Sequence, residues 1–503
     1  MSQLQHSYAA VAPVEAADLD LPDLAEAADA GSAGRAKPAD ASRKGGPVKA
    51  ARTASPGQVL AIVCVGMVLA NLDLFIVNVG LPSVARDLGN TNLENLSWIL
   101  NGYTIVYAAL LVFFGRFAER HRRDLSFLAG IAVFTLSSAA CAAAPNVTAL
   151  VAFRVAQAAG AALMTPTSLG LLLASYPPEQ RGGAVRTWTA IGGFSAALGP
   201  LIGGLLITAS WRWIFLVNVP IGVAALLIGS WKLPQVPGHD APRPDPWAAL
   251  FVTAGIGALT FAIVKVNDWG WHSAGILVSA AVAVLFLGLF VLDCVRSRNP
   301  FVDPSLFRIR PFTGAALVMA PFSLAFGALL LSTALWEQNG WNWSALQAGI
   351  AIAPGPLLVP IVSLLFAGRL IARFGAGAVV TAGVLVFATS FVWYATAFGF
   401  EPNFAYAVIG MVPAGIGVGL TFPTLMGVST SSLSPSSFAT GSGVIQMIRQ
   451  AAIAIGVALF VALLGSPVSA AARLAAFQSA WWIMAAITLL GLIPTFVLIR
   501  RKR

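Results

Sequence analysis

Five polar side chains sit where the surrounding sequence makes them costly: Asp73, Arg154, Gln157, Glu337 and Arg449. Each lies within or at the end of a long apolar run. An ionisable group at the centre of a bilayer costs on the order of 3 kcal/mol, so it faces a cavity, a partner or a solute. Asp73 is set in Asn71-Leu72-Asp73-Leu74-Phe75-Ile76-Val77-Asn78-Val79-Gly80-Leu81-Pro82. Its carboxyl can take up a proton or meet a cationic solute; the competing role is a hydrogen bond that ties its helix to a neighbour. Arg154 and Gln157 stand one helical turn apart in Arg154-Val155-Ala156-Gln157-Ala158-Ala159-Gly160. Arginine keeps its proton and cannot relay one. It can favour the ionised form of a nearby carboxylate and so help a proton leave. Arg449 precedes Gln450 and shares a helix face with Gln446. Glu337 ends an apolar run just before Trp341 and Trp343, which reads as an interfacial residue beside an aromatic belt.

The elements that must position these groups are apolar spans. A span needs about 20 apolar residues to cover about 30 Å of hydrocarbon. Fourteen such stretches fill most of residues 57–499, among them 184–208, 312–334 and 347–367. Of 503 residues, 58% are hydrophobic and 10% charged; a soluble domain carries about 25% charged residues. The fold class expected is therefore an all-α integral membrane protein. A net charge of +10 raises nucleic acid as a partner. The basic residues are spread over short loops between spans, which argues for a lipid bilayer instead. Three cysteines and four histidines are scattered, giving neither a disulfide framework nor a metal site. The first 56 residues are polar and read as a disordered cytoplasmic tail.

Lys and Arg set the orientation. If the N-terminus is inside, the outer loops hold Arg86, Arg212, Lys265 and Arg473, and Arg154 and Arg449 lie within spans. All the other basic residues fall in or at the edge of inner segments, including Arg500-Arg501-Lys502-Arg503. That asymmetry places both termini inside.

An internal repeat divides the chain. Gly115-Arg116-Phe117 followed by Arg120 recurs as Gly368-Arg369-Leu370 followed by Arg373, and Gly160, Pro166 and Pro178 recur as Gly417, Pro423 and Pro435. The expected domains are the tail 1–56, a six-helix bundle 57–233, an inserted transmembrane hairpin with its linkers 234–310, a second six-helix bundle 311–499 and a basic tail 500–503. Paired bundles around a midplane site are transporter architecture. The repeat counterpart of Arg154 is Met411, so that charge belongs to one half alone.

Two further motifs bear on movement. Gly192, Ala196, Gly199 and Gly203 form one stripe on the fifth span, with Gly204 adjoining; small residues at that spacing let another helix approach closely. Pro200 favours a kink there. Between the second and third spans stands Gly115-Arg116-Phe117-Ala118-Glu119-Arg120-His121-Arg122-Arg123-Asp124. Part of that charge sets orientation; the mixed signs also suit a cytoplasmic latch between the bundles.

Taken in order, these segments resemble the major facilitator superfamily, and within it the fourteen-span drug:proton antiporters. The first-span string is similar to the family's Leu-Asp-x-x-Ile-Val-Asn-Val-x-Leu-Pro pattern, and Ser97-Trp98-Ile99-Leu100-Asn101-Gly102-Tyr103 to the start of its second span. The loop from Gly115 resembles the gating motif, with Gly115, Arg116, Glu119, Arg120 and Arg123 at its positions. The Arg154 segment resembles the pattern tied to proton transfer. Gly199-Pro200-Leu201-Ile202-Gly203-Gly204 resembles the antiporter motif, and Trp211-Arg212-Trp213-Ile214-Phe215-Leu216-Val217-Asn218-Val219-Pro220-Ile221-Gly222 the fourteen-span hallmark. Departures are Glu119 where Asp is usual, Arg122 and Ser195 where Gly is usual, and Ala158 for the Gly after Gln157.

The resemblance implies a bacterial cytoplasmic-membrane exporter, not an enzyme, in which entering protons drive a small amphipathic compound out by alternating access. It implies a monomer without cofactor or metal; no Gly-x-x-x-x-Gly-Lys-[Ser/Thr] nucleotide site occurs. The alternatives are a dedicated exporter of one natural product and, less favoured, a nutrient symporter. A cytoplasm-dependent reporter fused after Arg503 is expected to be active and a periplasm-dependent one silent. The converse would mean a miscounted span, with the 246–293 hairpin the first place to look.

Overall fold

The computed structural model describes residues 54–89, 93–238, 245–297, 300–433, 438–465 and 467–495. Except for its last three residues, the tail expected over 1–56 lies outside that set, as does 500–503. Local sequence sets the helix starts. Ser55 accepts from the backbone N–H of Gln58, whose side chain accepts in return from Ser55 N–H, closing a capping box ahead of Pro56. Asn146, Asp245, Ser273, Ser344, Asn403 and Ser469 cap later helices through their side-chain oxygens.

Among the described residues fourteen long helices follow in order: α1 Pro56–Asp87, α2 Leu93–Arg120, α3 Arg123–Ala142, α4 Val147–Ser175, α5 Pro178–Ile207, α6 Trp213–Lys232, α7 Pro246–Trp269, α8 Ala274–Arg296, α9 Arg310–Gly340, α10 Ala345–Phe374, α11 Ala376–Ala397, α12 Phe404–Ser431, α13 Phe438–Leu464 and α14 Ala470–Pro494. Thirteen are long and apolar enough to cross a membrane, and α5 adds the shorter apolar stretch Ile191–Ile207. α1–α6 form one bundle and α9–α14 the other. The pairings repeat: α3 packs on α4 as α11 packs on α12, and α1 on α5 as α9 on α13. The bundles join mainly through α2 with α13 and α5 with α10. The hairpin α7–α8 lies on one flank, with α7 against both α2 and α13. α8 leaves Leu277, Val278, Val284 and Leu285 exposed, as a lipid-facing helix does.

The glycine repeat has a packing reason. A Cβ on Gly160 would lie 2.6 Å from the backbone nitrogen of Phe134, and one on Gly417 would lie 2.7 Å from that of Phe387. In each half the backbones of two helices touch at that point.

The three spans bounded above differ from those bounds. α5 starts at Pro178, ahead of the expected 184, because proline suits the first helical turn. α10 is interrupted near Ala353, where Pro354 begins a new segment, and carries a π turn over Ser363–Ala367. α9 does not stop at 334 but runs on as a π turn, Trp336–Gly340. This extension encloses Glu337, only 1% exposed.

Gly160→Ala and Gly417→Ala are each expected to lower stability by about 1–3 kcal/mol through overpacking. Gly257→Ala, with nothing within 4 Å of its added Cβ, should be neutral or stabilising by up to about 1 kcal/mol. Thermal unfolding of the purified protein in detergent reads all three.

Candidate functional site

The α1 carboxyl and the α4 arginine meet. Arg154 Nη1 donates to Asp73 Oδ2 in an ion pair with both side chains fully buried. Their helices pack directly, and Gln157, one turn beyond Arg154, falls on the same face. Gln157 Nε2 donates to Asp73 Oδ1 at 2.9 Å and to Ser138 Oγ of α3 at 2.8 Å, while its Oε1 accepts from Arg154 Nη1 at 2.7 Å. From α6, Asn218 Nδ2 reaches Asp73 Oδ1 at 3.3 Å. Arg154 Nε donates to the Ile99 carbonyl of α2 at 3.2 Å, and its guanidinium lies 4.1 Å from the Tyr103 ring centroid. Five helices of one bundle thus converge on one carboxylate. A buried pair is tolerated only when its remaining hydrogen-bonding capacity is largely used. Here Arg154 Nη2 is left without an acceptor among the described residues.

Of the residues singled out from sequence, Asp73, Arg154 and Gln157 come together, whereas Glu337 and Arg449 lie elsewhere. Glu337 is enclosed in the second bundle beside Tyr394, and neither carboxyl oxygen has a hydrogen-bond partner among the described residues. Arg449 stands over the Phe422 ring at 4.8 Å and donates to Gln446 at 3.2 Å. Sequence reasoning missed Asn218, Ser138 and Tyr103 as partners. Asn218 and Tyr103 each belong to a quoted motif, which was a usable signal; Ser138 carries no local mark.

The α5 glycines lie against the helix that carries Asp73. A Cβ on Gly192 would come 2.9 Å from Met67, on Gly199 2.7 Å from Phe75 Cβ, and on Gly203 2.8 Å from Ile76. The other side of α5 touches the second bundle: a Cβ on Gly204 would lie 2.7 Å from the Ala345 carbonyl of α10. The glycine stripe is therefore mainly a contact with α1 inside the first bundle, with Gly204 and Pro200 at the interface between bundles.

The segment expected as a loop from Gly115 is helical up to Arg120, the end of α2, and within it Arg116 donates to the Pro300 carbonyl, in the segment leading into α9. Arg123 donates to the Gly170 carbonyl of α4 at 3.4 Å, and its backbone N–H bonds Val236 O. A Cβ on Gly238 would strike the Arg120 carbonyl. The segment is thus fastened to its own bundle and to both linkers, and Arg116 makes its reach towards the second bundle. Gly115 has open space around it, and Glu119 is half-buried.

Between the bundles, Leu74, Phe75, Phe326, Leu330, Ile453 and Val457 surround a space of about 30 Å³. Beyond this waist, where α1, α9 and α13 end, a cavity of about 690 Å³ opens.

Known proteins share this plan. Residues 63–457 match the family model described as Major Facilitator Superfamily. A methylenomycin A resistance protein of Streptomyces coelicolor is 32% identical over 414 residues, 82% of this chain and 86% of that protein. The multidrug resistance protein Stp of Mycobacterium tuberculosis is 31% identical over 418 residues, 82% of this chain and 76% of its own length. The solved structure of an auto-inhibited POT family peptide transporter shares the fold at a TM-score of 0.63, with 15% identity, covering 89% of this chain and 97% of its own. With one family model running through both bundles and the hairpin between them, the chain belongs to the Major Facilitator Superfamily.

Proposed function

We propose that this membrane protein is a proton-coupled exporter of small amphipathic compounds, working as a monomer in a bacterial cytoplasmic membrane with both termini inside. Export as the direction rests on relatives named for resistance. The observation that carries the coupling is the fully buried Asp73–Arg154 pair at the hub of one bundle. Protonating Asp73 leaves a lone buried guanidinium. Removing one member of such a pair costs about 3–5 kcal/mol. A proton entering through about 150 mV supplies roughly 3.5 kcal/mol, a comparable amount. The strain is relieved by shifting α1 against α4 and α6. α5 lies against α1 and against α10, so that shift is passed to the contact between bundles. Glu337 is a second candidate for carrying a proton. The gate residues Gly115, Arg116, Glu119, Arg120 and Arg123 steady the inner ends of the helices.

A dedicated exporter of one natural product remains the second reading, favoured by relatives named for single antibiotics, among them the methylenomycin A resistance protein. Inside-out vesicles separate coupling from mere binding. With an acid lumen they should accumulate substrate, and an ionophore should abolish this while ATP depletion under a held gradient does not. Asp73→Asn should reduce uphill accumulation at least about tenfold, since an amide keeps hydrogen bonds but carries no titratable proton, while energy-independent exchange of labelled substrate persists. Full accumulation by Asp73→Asn, or a requirement for ATP or sodium, would remove the proposed coupling.

A further inference from the structure

The charged side chains that line the larger cavity are both arginines. Arg86 of α1 and Arg473 of α14 line the 690 Å³ cavity, together with the aromatic rings of Trp336, Trp343 and Phe477. On the other side of the waist Arg449 stands between Phe422 of the second bundle and Tyr107 of the first. The order along α13 is Arg449, then Ile453 and Val457 at the waist, then Leu464 at the cavity. The helical rise puts about 22 Å between the first and last of these.

None of the three arginines joins an ion pair among the described residues. Arg449 Nε is buried without an acceptor among them. Arg86 uses only the Pro82 carbonyl and the Ser83 hydroxyl of its own helix. Three acids of the first bundle are paired elsewhere. Asp73 is held by Arg154, Asp87 by Arg212 at 2.6 Å, and Glu94 by Lys265 at 3.1 Å. Glu337 lies beside Tyr394 and forms no part of the cavity wall. A cationic solute would meet three unbalanced guanidinium groups along this path. A solute with an oxyanion and an aromatic body would find a donor fork and apolar rings on both sides of the waist.

We propose that the exported compound is an anionic amphipath, an oxyanion on an aromatic-sized apolar body, received by Arg449 on the inner side of the waist and by Arg86 and Arg473 on the outer side. This rests on the export reading above and departs from the cationic solute that an unpaired Asp73 would have suggested.

Permanently charged probes with one common body test it, since neither leaks across lipid as a neutral acid or base: 2-naphthalenesulfonate and (2-naphthylmethyl)trimethylammonium. Binding to the purified full-length protein is followed by quenching of tryptophan fluorescence. Accumulation is followed in proteoliposomes with an acid lumen. The sulfonate should bind at least about tenfold more tightly than the ammonium, as loss of a charge-assisted hydrogen bond implies. Arg449→Gln should weaken sulfonate binding about tenfold, and Arg449→Lys should restore part of it. The double variant Arg86→Gln with Arg473→Gln, at exposed positions that do not threaten folding, should also weaken it. Sulfonate binding that depends on Arg449 but no accumulation of either probe would uphold the substrate class and remove the coupled-export reading. Tighter binding of the ammonium would overturn the proposal, as would sulfonate binding unchanged both in Arg449→Gln and in the double variant.

Discussion

A carboxylate and a guanidinium, both taken wholly out of water, set the terms for the rest of the first bundle. Neither Asp73 nor Arg154 can be placed there alone, and their attraction offsets the loss of hydration only if neighbours fill the remaining hydrogen-bonding positions. Gln157, Asn218, Ser138 and the Ile99 carbonyl supply that, drawing α1, α2, α3, α4 and α6 to a single point. A site so dependent on one charge is a natural two-state element. In the proposed mechanism, adding a proton to the carboxyl removes the reason for the arrangement and drives the helices to another.

Transmission follows from what touches α1. Glycines let α5 lie against it with almost no side chain between, close to Asp73 on both sides: Met67 on one side, Phe75 and Ile76 on the other. The same helix touches the α10 backbone through Gly204 and Pro200. A contact between backbones has no soft side chains to absorb a displacement, so under the proposed mechanism movement of α1 would be carried across to the second bundle. The apolar waist closes the path in this conformation, and rocking of the bundles is what would open it.

Much of this was legible in the sequence, for physical reasons. Hydropathy exposes spans because lipid forces each to be an apolar helix. The Gly160 and Gly417 repeat was visible because only glycine fits where two backbones touch. The partnership of Asp73 with Arg154 was not, since 80 residues of intervening chain say nothing about which helices adjoin. Asn218 was hidden in the same way. That Glu337 would be enclosed was not legible, because a π turn extends α9 past the point where hydropathy fades, and nothing in the local pattern signals one. The proposed sign of the solute needed structure as well: the sequence showed an acid in the first span but not that an arginine already holds it.

The central claim is that protonation of Asp73 moves the bundles. The most direct measurement needs no substrate. Spin labels at Leu205 and Ile350, exposed positions on α5 and α10, would report the distance between the adjoining ends of these helices by pulsed electron resonance as pH is varied. The account predicts a pH-dependent shift between two distances in the otherwise unaltered protein, and a single pH-independent population in Asp73→Asn. An identical pH-dependent shift in both proteins would contradict it.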